Sequence, residues 1–135
     1  MTPLQRRVEH VDTDSSGVVH FARYPSLLET AVLENLACLG TGPDALARDG
    51  LDLVITECRV RYLAPARFLD LLRVDVAVAH LGAAHFRFSG TVVRTVDGAD
   101  GVSVATGLLV FGVVNRETAT AQQLPSHLRD ALRSL

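Results

Sequence analysis

The chain has 135 residues, of which 48% are hydrophobic and 21% charged, so it fits one domain with a substantial core and has no room for a second. Its formal net charge of −2 gives no basic field of the kind that dominates nucleic-acid binding, although all of its cationic side chains are arginines. The amino-terminal MTPLQRRVEH lacks the apolar segment of a secretory signal, and no apolar run approaches the roughly 20 residues of a membrane span. We therefore expect a single cytoplasmic domain over residues 1–135, with no nucleic-acid partner.

The first half of the chain predicts a strand, a loop and one long helix. Residues 4–11 are typical of a short strand, and the loop after them leads into a helix over residues 24–39. Apolar side chains recur in that helix at close to four-residue spacing and predict one buried face: Leu27, Leu28, Ala31, Val32, Leu36 and Leu39. Glycines at positions 40 and 42 end the helix, and residues 43–50 form a connector with at most a short helix.

The second half changes to the two-residue period of strands. Four strands are predicted, over residues 51–63, 71–81, 85–96 and 102–114. Pro65 ends the first of these strands, and the segment DGADG predicts a hairpin turn before the last. A carboxy-terminal helix over residues 126–135 follows Pro125.

This order of elements indicates an α+β protein with the hotdog fold. One long apolar helix followed by an antiparallel run of strands favours a sheet of about five strands wrapped around that helix. Such a sheet leaves an edge strand with unpaired backbone groups. We therefore expect a homo-oligomer in which the sheet extends across a dimer.

The two cysteines predict neither a disulfide framework nor a metal site. Cys38 falls in the predicted helix and Cys58 in a predicted strand, with no metal-ligand spacing between them. We expect both to be buried, reduced thiols.

The segment HVDTDSSGVVHFARY, residues 10–24, carries the strongest chemical signal. A helix amino terminus presents unpaired N–H groups and partial positive charge, which suit an oxygen that becomes negative during a reaction. Gly17 permits a tight turn between Asp14 and the start of the helix. Asp14, three residues before Gly17, is thus a candidate nucleophile, or general base for water, opposite that helix start. The alternative is that Asp and Ser here only cap a helix or form a turn.

Two further polar residues have an ordinary structural interpretation. A single histidine such as His20 is more often packed in the interior or solvated at the surface than catalytic. Glu29 lies in the helix near its apolar face, where an ion pair with a neighbour is the simplest role for a partly buried carboxylate.

Two motifs resemble a known family. DTDSSGVVHFARY is similar to the DxDxxGxVxxxxY signature of the 4-hydroxybenzoyl-CoA thioesterase family, and RYLAPARFLD is similar to a segment of its YbgC-like acyl-CoA thioesterase branch. The resemblance covers nearly the whole chain. It implies a hotdog fold, dimers or dimers of dimers, and active sites at the interface of paired subunits.

The resemblance also implies roles for individual residues. Asp14 matches the catalytic carboxylate, and Asp12 the carboxylate that orders the loop. The backbone N–H of Phe21 matches the group that polarises the thioester carbonyl, with Gly17 allowing the turn. Glu29 matches an acidic residue in the helix of YbgC-like members.

The chain departs from the family pattern in two places. The Tyr and His that YbgC-like enzymes place near the catalytic Asp correspond to His10 and Phe21, so His10 or His20 would have to substitute as the auxiliary proton donor. The turn that holds basic residues for the CoA phosphates in the 4-hydroxybenzoyl branch reads Gly-Ala-Ala at 82–84. Phosphate charge would have to be neutralised by other arginines, for which the candidates are Arg59, Arg61, Arg67 and Arg87.

The sequence thus predicts hydrolysis of an acyl thioester to a carboxylic acid and a free thiol. The acyl group of the substrate is carried either on CoA or on the phosphopantetheine arm of an acyl carrier protein. No further cofactor and no metal are expected. Substrate-binding candidates are Val19, Tyr24, Leu28, Tyr62 and Arg67, with core packing as the alternative for the apolar ones. Two other functions stay open: a hotdog hydratase or dehydratase, whose usual HFPG or DxxxxH motifs are absent, and a non-catalytic acyl-thioester-binding subunit.

Overall fold

In the computed structural model, which describes residues 1–135, six strands form one antiparallel sheet. The strands are β1 (Leu4–Arg7), β2 (Leu51–Tyr62), β3 (Leu71–Leu81), β4 (His85–Val96), β5 (Ala99–Asn115) and β6 (Ala121–Gln122). Five of them lie in the order β1-β3-β4-β5-β2, and β6 pairs with the end of β5. The long strand β2 therefore forms one edge of this row, and the four-residue β1 forms the other.

Three helices accompany the sheet: α1 (Arg23–Cys38), α2 (Pro43–Arg48) and α3 (Ser126–Ser134). The buried face of α1 packs against the sheet, whose core includes three buried phenylalanines: Phe86 stacks on Phe111, and Phe88 meets both edge to face. Burial of this apolar surface is the main stabilising contribution to the fold. None of the three helices combines the length and the apolar character that crossing a bilayer would demand.

Two paired glycines set how closely α1 approaches the sheet. Gly90 on β4 lies opposite Gly107 on β5, and the Leu28 side chain fills the space above both. A Cβ atom at either glycine would stand only 2.4 Å from a methyl carbon of Leu28. The side chain is 1% exposed, so it has little freedom to move aside.

The predicted α+β class and the predicted order of the long elements are confirmed. The helix starts and ends one residue before the predicted limits, and β3 and β4 have the predicted bounds. The first strand is shorter than predicted, because residues His10–Asp12 form a single 3-10 turn in which the Asp12 carboxylate accepts the Glu9 N–H. The short strand β6 lies outside the sequence prediction.

The last hairpin is tighter than predicted. Its turn consists of Asp97 and Gly98 alone, and β5 begins at Ala99. Both turn residues have positive φ, 51° and 79°, as a two-residue turn of the I′ type requires.

The prediction that both cysteines are buried is wrong. Cys38, in the last turn of α1, and Cys58, on β2, are exposed free thiols. Cys58 pairs in register with the buried Leu109, so it shares the inner face of the sheet. It is exposed because β2 is an edge strand that α1 covers only in part.

The partly covered inner face of β2 forms an apolar strip. Its members are the register partners of inward-facing β5 residues: Leu53, Ile55, Cys58, Val60 and Tyr62. All five are partly or fully exposed. We call these five residues the β2 strip.

Candidate active site

The Asp-Ser-Ser-Gly segment forms the turn that its residue types favour. One carboxylate oxygen of Asp14, Oδ1, accepts the N–H of Ser16 at 2.8 Å and, more weakly, that of Val18 at 3.4 Å. The Asp14 carbonyl accepts the N–H of Gly17, whose φ of 80° is open to glycine at little cost. The second carboxylate oxygen, Oδ2, has no hydrogen bond within the protein, so it is available to a ligand.

Backbone pairing attaches this turn to the chain after β2. The N–H of Val19 donates to the Ala66 carbonyl at 2.8 Å, and Val18 forms a bridge with Arg67. The Asp14 N–H donates to the Val18 carbonyl at 2.9 Å. The carboxylate is therefore held on a short hairpin whose second arm is fixed to the main structure.

The start of α1 leaves one backbone donor free. The N–H of His20 bonds to the Asp12 carbonyl at 2.8 Å, that of Ala22 to the His20 Nδ1 atom at 3.1 Å, and that of Arg23 to the His20 carbonyl at 2.9 Å. The N–H of Phe21, between them, has no partner in the protein. This free donor lies at the end of the helix where the dipole places partial positive charge.

The His20 ring acts as a cap for these backbone groups. Its Nδ1 atom accepts the Ala22 N–H, so the neutral ring carries its proton on Nε2. The ring stacks on that of Phe21 with a centroid distance of 4.5 Å. Only the Nε2 N–H remains available to a ligand.

Asp12 is buried and orders the loop, the role that the family resemblance implies for it. Its Oδ1 accepts hydrogen bonds from Arg6 at 3.1 Å and Arg23 at 3.0 Å, and its Oδ2 accepts the Glu9 N–H at 2.9 Å. The carboxylate thus joins β1, the 3-10 turn and the first turn of α1. Its side chain is 6% exposed, so it is far less accessible than the partly buried Asp14.

A cleft of about 410 Å³ brings several predicted site residues together. It is lined by Asp14, Val18, Val19, Phe21, Tyr24, Tyr62, Leu63, Ala64 and Pro65. Its walls are mostly apolar and its one carboxylate is that of Asp14. A wider groove of about 530 Å³ lies between α1 and α2, but no residue of the opening loop contributes to it.

The two tyrosines meet inside the cleft, with ring centroids 5.7 Å apart. Burial, the neighbouring Tyr62 and the Asp70 carboxylate, in that order, raise the pKa of Tyr24, so its hydroxyl stays protonated. The Tyr62 hydroxyl donates to the Phe21 carbonyl at 3.1 Å. Sequence reasoning missed this bond, because its partners are 41 residues apart and no local pattern joins them.

Five of the predicted site residues do not line this cleft: Gly17 and His20, which are neighbours in sequence of lining residues, and Leu28, Glu29 and Arg67. Leu28 is enclosed in the core above the two glycines. Arg67 is exposed and meets the loop through its backbone. Glu29 makes no ion pair, contrary to its simplest interpretation; instead its charge, after burial, helps raise the pKa of the Cys58 thiol.

The arginines proposed for phosphate binding are only partly free. Arg59 is paired with Glu57 at 2.7 Å. At the Gly-Ala-Ala turn, the carbonyls of Gly82 and Ala83 accept hydrogen bonds from Arg129 of α3. A cationic side chain therefore does lie at this turn, but it comes from the far end of the sequence, where no motif indicates it.

Comparison with known proteins adds independent information. A family model described as the thioesterase-like superfamily matches residues 8–132. A 1,4-dihydroxy-2-naphthoyl-CoA hydrolase from Thermosynechococcus vestitus is 35% identical over 77% of this chain and 73% of its own. The acyl-CoA thioester hydrolase YbgC from Escherichia coli is 31% identical over 65% of this chain and 66% of its own.

Solved structures give the same fold. A 1,4-dihydroxy-2-naphthoyl-CoA thioesterase from Synechocystis superposes with a TM-score of 0.87 over 98% of this chain and 96% of its own. At 19% identity, this likeness is evidence for the fold alone. It confirms the predicted hotdog arrangement of sheet and helix.

Proposed function

Because this chain belongs to the thioesterase-like superfamily and is a thioester hydrolase by homology, we propose that it cleaves an acyl-CoA thioester in the cleft beside Asp14. The observation that carries the proposal is that the cleft is lined by both Asp14, whose carboxylate has one oxygen without a hydrogen bond, and Phe21, whose backbone N–H is unpaired. A nucleophile or base together with an unpaired donor is the minimum that acyl transfer needs.

The free N–H fits the developing charge of the reaction. The thioester carbonyl oxygen lies at the start of α1, where the Phe21 N–H and the helix dipole stabilise the negative charge that forms on it. The donor is already unpaired and its neighbours are fixed by hydrogen bonds, so little reorganisation is required when the charge appears.

Asp14 completes the reaction by one of two routes. As a nucleophile, its free oxygen attacks the carbonyl carbon, the thiolate leaves, and water then hydrolyses the mixed anhydride. As a general base, it takes a proton from the water that attacks the carbonyl. Both routes release one carboxylic acid and one thiol.

The surrounding residues have supporting roles in this proposal. The apolar cleft walls, with Val19 and Tyr24 among them, receive the acyl group. His20 offers only its Nε2 N–H, which suits it to donate to the leaving sulfur rather than to remove a proton. Glu29, Leu28 and Arg67 neither line the cleft nor make a side-chain bond to the backbone at the start of α1, so the proposal gives them no chemical step.

The carrier is proposed to be CoA because both curated relatives described above are named for CoA thioesters. An acyl carrier protein presents the same phosphopantetheine arm without the adenosine phosphates. The two carriers are therefore compared directly, with one acyl group attached to each.

We expect Asp14→Asn to lower kcat by about 10²- to 10⁴-fold, because the amide is neither a base nor an effective nucleophile. The assay measures thiol release from benzoyl-, phenylacetyl-, hexanoyl- and palmitoyl-CoA and from the same acyl groups on a carrier protein. Asp97→Asn is the matched control, since Asn suits the hairpin turn and this residue lies outside the cleft.

Full activity in Asp14→Asn would contradict the assignment of the carboxylate. Faster cleavage of the carrier-protein substrates would show that the acyl carrier protein, and not CoA, is the preferred carrier. Absence of thiol release from every substrate with wild-type protein would favour the non-catalytic binding subunit.

A further inference from the structure

A single hydrogen bond joins the edge strand of the sheet to the start of α1. The hydroxyl of Tyr62, the last residue of β2, donates to the carbonyl of Phe21. It is the only side chain from outside residues 20–23 that bonds to their backbone. The rings of Tyr62 and Phe21 also meet edge to face, at 6.5 Å and 90°.

This bond fixes the second of two peptide planes around Phe21. The plane between Phe21 and Ala22 is held at both ends, by Tyr62 on its carbonyl and by the His20 Nδ1 atom on its N–H. The preceding plane, which contains the Phe21 N–H, is held through its carbonyl by the N–H of Arg23. Peptide planes are rigid, so fixing both of them leaves the direction of the free N–H little freedom.

We propose that Tyr62 is a positioning residue, whose hydroxyl holds the Phe21 N–H in the direction that meets the developing oxyanion. The inference rests on the proposed function and deepens it. Tyr62 transfers no proton and touches no reacting atom in this role. Its effect is on orientation, which matters most in the transition state, where the charge on the oxygen is greatest.

The kinetic test is Tyr62→Phe, which keeps the aromatic wall of the cleft and removes only the hydroxyl. We expect kcat to fall about 5- to 30-fold while KM stays within about twofold, because a misdirected donor weakens transition-state binding more than substrate binding. The control is Thr95→Val, which removes a comparable bond, from the Thr95 hydroxyl to the Leu71 carbonyl at 3.3 Å, between β4 and β3. We expect the control to keep the wild-type kcat.

A rise in KM with unchanged kcat would overturn the inference, since it would make the hydroxyl a substrate contact. Unchanged kinetics would overturn it as well. An equal loss of kcat in Thr95→Val would assign the effect to general destabilisation.

A second measurement does not depend on turnover. In protein labelled with ¹⁵N-phenylalanine, the Phe21 amide signal is assigned by its loss in Phe21→Leu. We expect Tyr62→Phe to shift and broaden this signal and to leave those of Phe86, Phe88 and Phe111 unchanged. An unchanged Phe21 signal overturns the inference even when the enzyme is active, whereas absence of thiol release from wild type overturns the proposed function and not this hydrogen bond.

Discussion

At the scale of single residues, the two aspartates of the loop have different environments although they are two positions apart. Asp12 is enclosed and bonded to two arginines and a backbone N–H. Asp14 lines a cleft, and one of its carboxylate oxygens has no hydrogen bond within the protein. The first carboxylate therefore stabilises the loop, and the second is available to a ligand.

We expect Asp12→Asn to lower the free energy of unfolding by about 1–3 kcal/mol, because it leaves the Arg6 and Arg23 guanidinium groups without their shared charge partner. Chemical denaturation monitored by circular dichroism measures the change. The control is Asp52→Asn, which breaks the exposed pair with Arg116 and should cost less than about 1 kcal/mol. Equal effects of the two substitutions would contradict the structural role of Asp12.

The sequence indicates candidate groups in the loop because the residues concerned are close together in the chain. Asp14, Gly17 and the free N–H of Phe21 lie within eight residues, so one motif describes them. The hydrogen-bond partners of Tyr62 and Arg129 could not be found in this way, because they are far away in sequence and meet only in the folded chain. Leu28 was named as a substrate contact from its apolar character, which does not distinguish a core position from a cleft wall.

At the scale of elements, the contact between α1 and the sheet depends on two glycines, which have no side chain. Gly90 and Gly107 form a recess on neighbouring strands, and Leu28 fills it. This recess fixes the height and the position of α1 above the sheet. The start of the same helix carries the proposed oxyanion donor, so the recess also bears on the geometry of the cleft.

We expect Gly107→Ala to lower the free energy of unfolding by about 1–3 kcal/mol, since the new methyl group overlaps Leu28 in a packed core. Thermal or chemical unfolding gives the value. Gly112→Ala on the same strand is the control, because its nearest contact would be an ordinary 3.4 Å and the change should be neutral or slightly stabilising. A neutral Gly107→Ala would show that Leu28 moves aside without cost.

Hydrophobic periodicity predicted the ends of long elements well. It did not predict ends that side-chain hydrogen bonds determine, nor very short elements. Strands β3 and β4 alternate clearly and have their predicted bounds. The end of β1 is set by the Asp12 carboxylate, and β6 spans two residues, too few for any period. The glycines of the recess gave no sequence signal of their partner, because Leu28 precedes them by more than 60 residues.

At the scale of the whole molecule, the sheet is unevenly covered. The helix α1 covers the β2 strip only in part, and the strip lies beside an unpaired strand edge. The strip is apolar and its strand is 12 residues long, in contrast to the four-residue β1 at the opposite edge. A long, exposed, apolar edge of this kind is a template for pairing with another chain.

We expect the protein to be a dimer, or a dimer of dimers, that pairs through β2. Sedimentation of the wild type should give a mass at least about twice the 14.5 kDa of one chain. Ile55→Asp, which places a charge in the β2 strip, should give folded monomers, whereas Val96→Asp, at an exposed site at the end of β4, should keep the wild-type mass. A monomeric wild-type protein would contradict the expectation.

The sequence predicted the fold class because one helix and four alternating strands leave few ways to bury their apolar faces. It also suggested the unpaired edge. The exposure of Cys58 was not foreseen, because an inward-facing residue of an edge strand has the same periodicity as one at the centre of the sheet.

The unpaired N–H of Phe21 belongs to the main chain, so it does not depend on the side chain at this position. A main-chain donor is supplied by every amino acid except proline, so the side chain at this position can be exchanged without removing the donor. The identity of the residue at position 21 is therefore a poor guide to whether the donor is present.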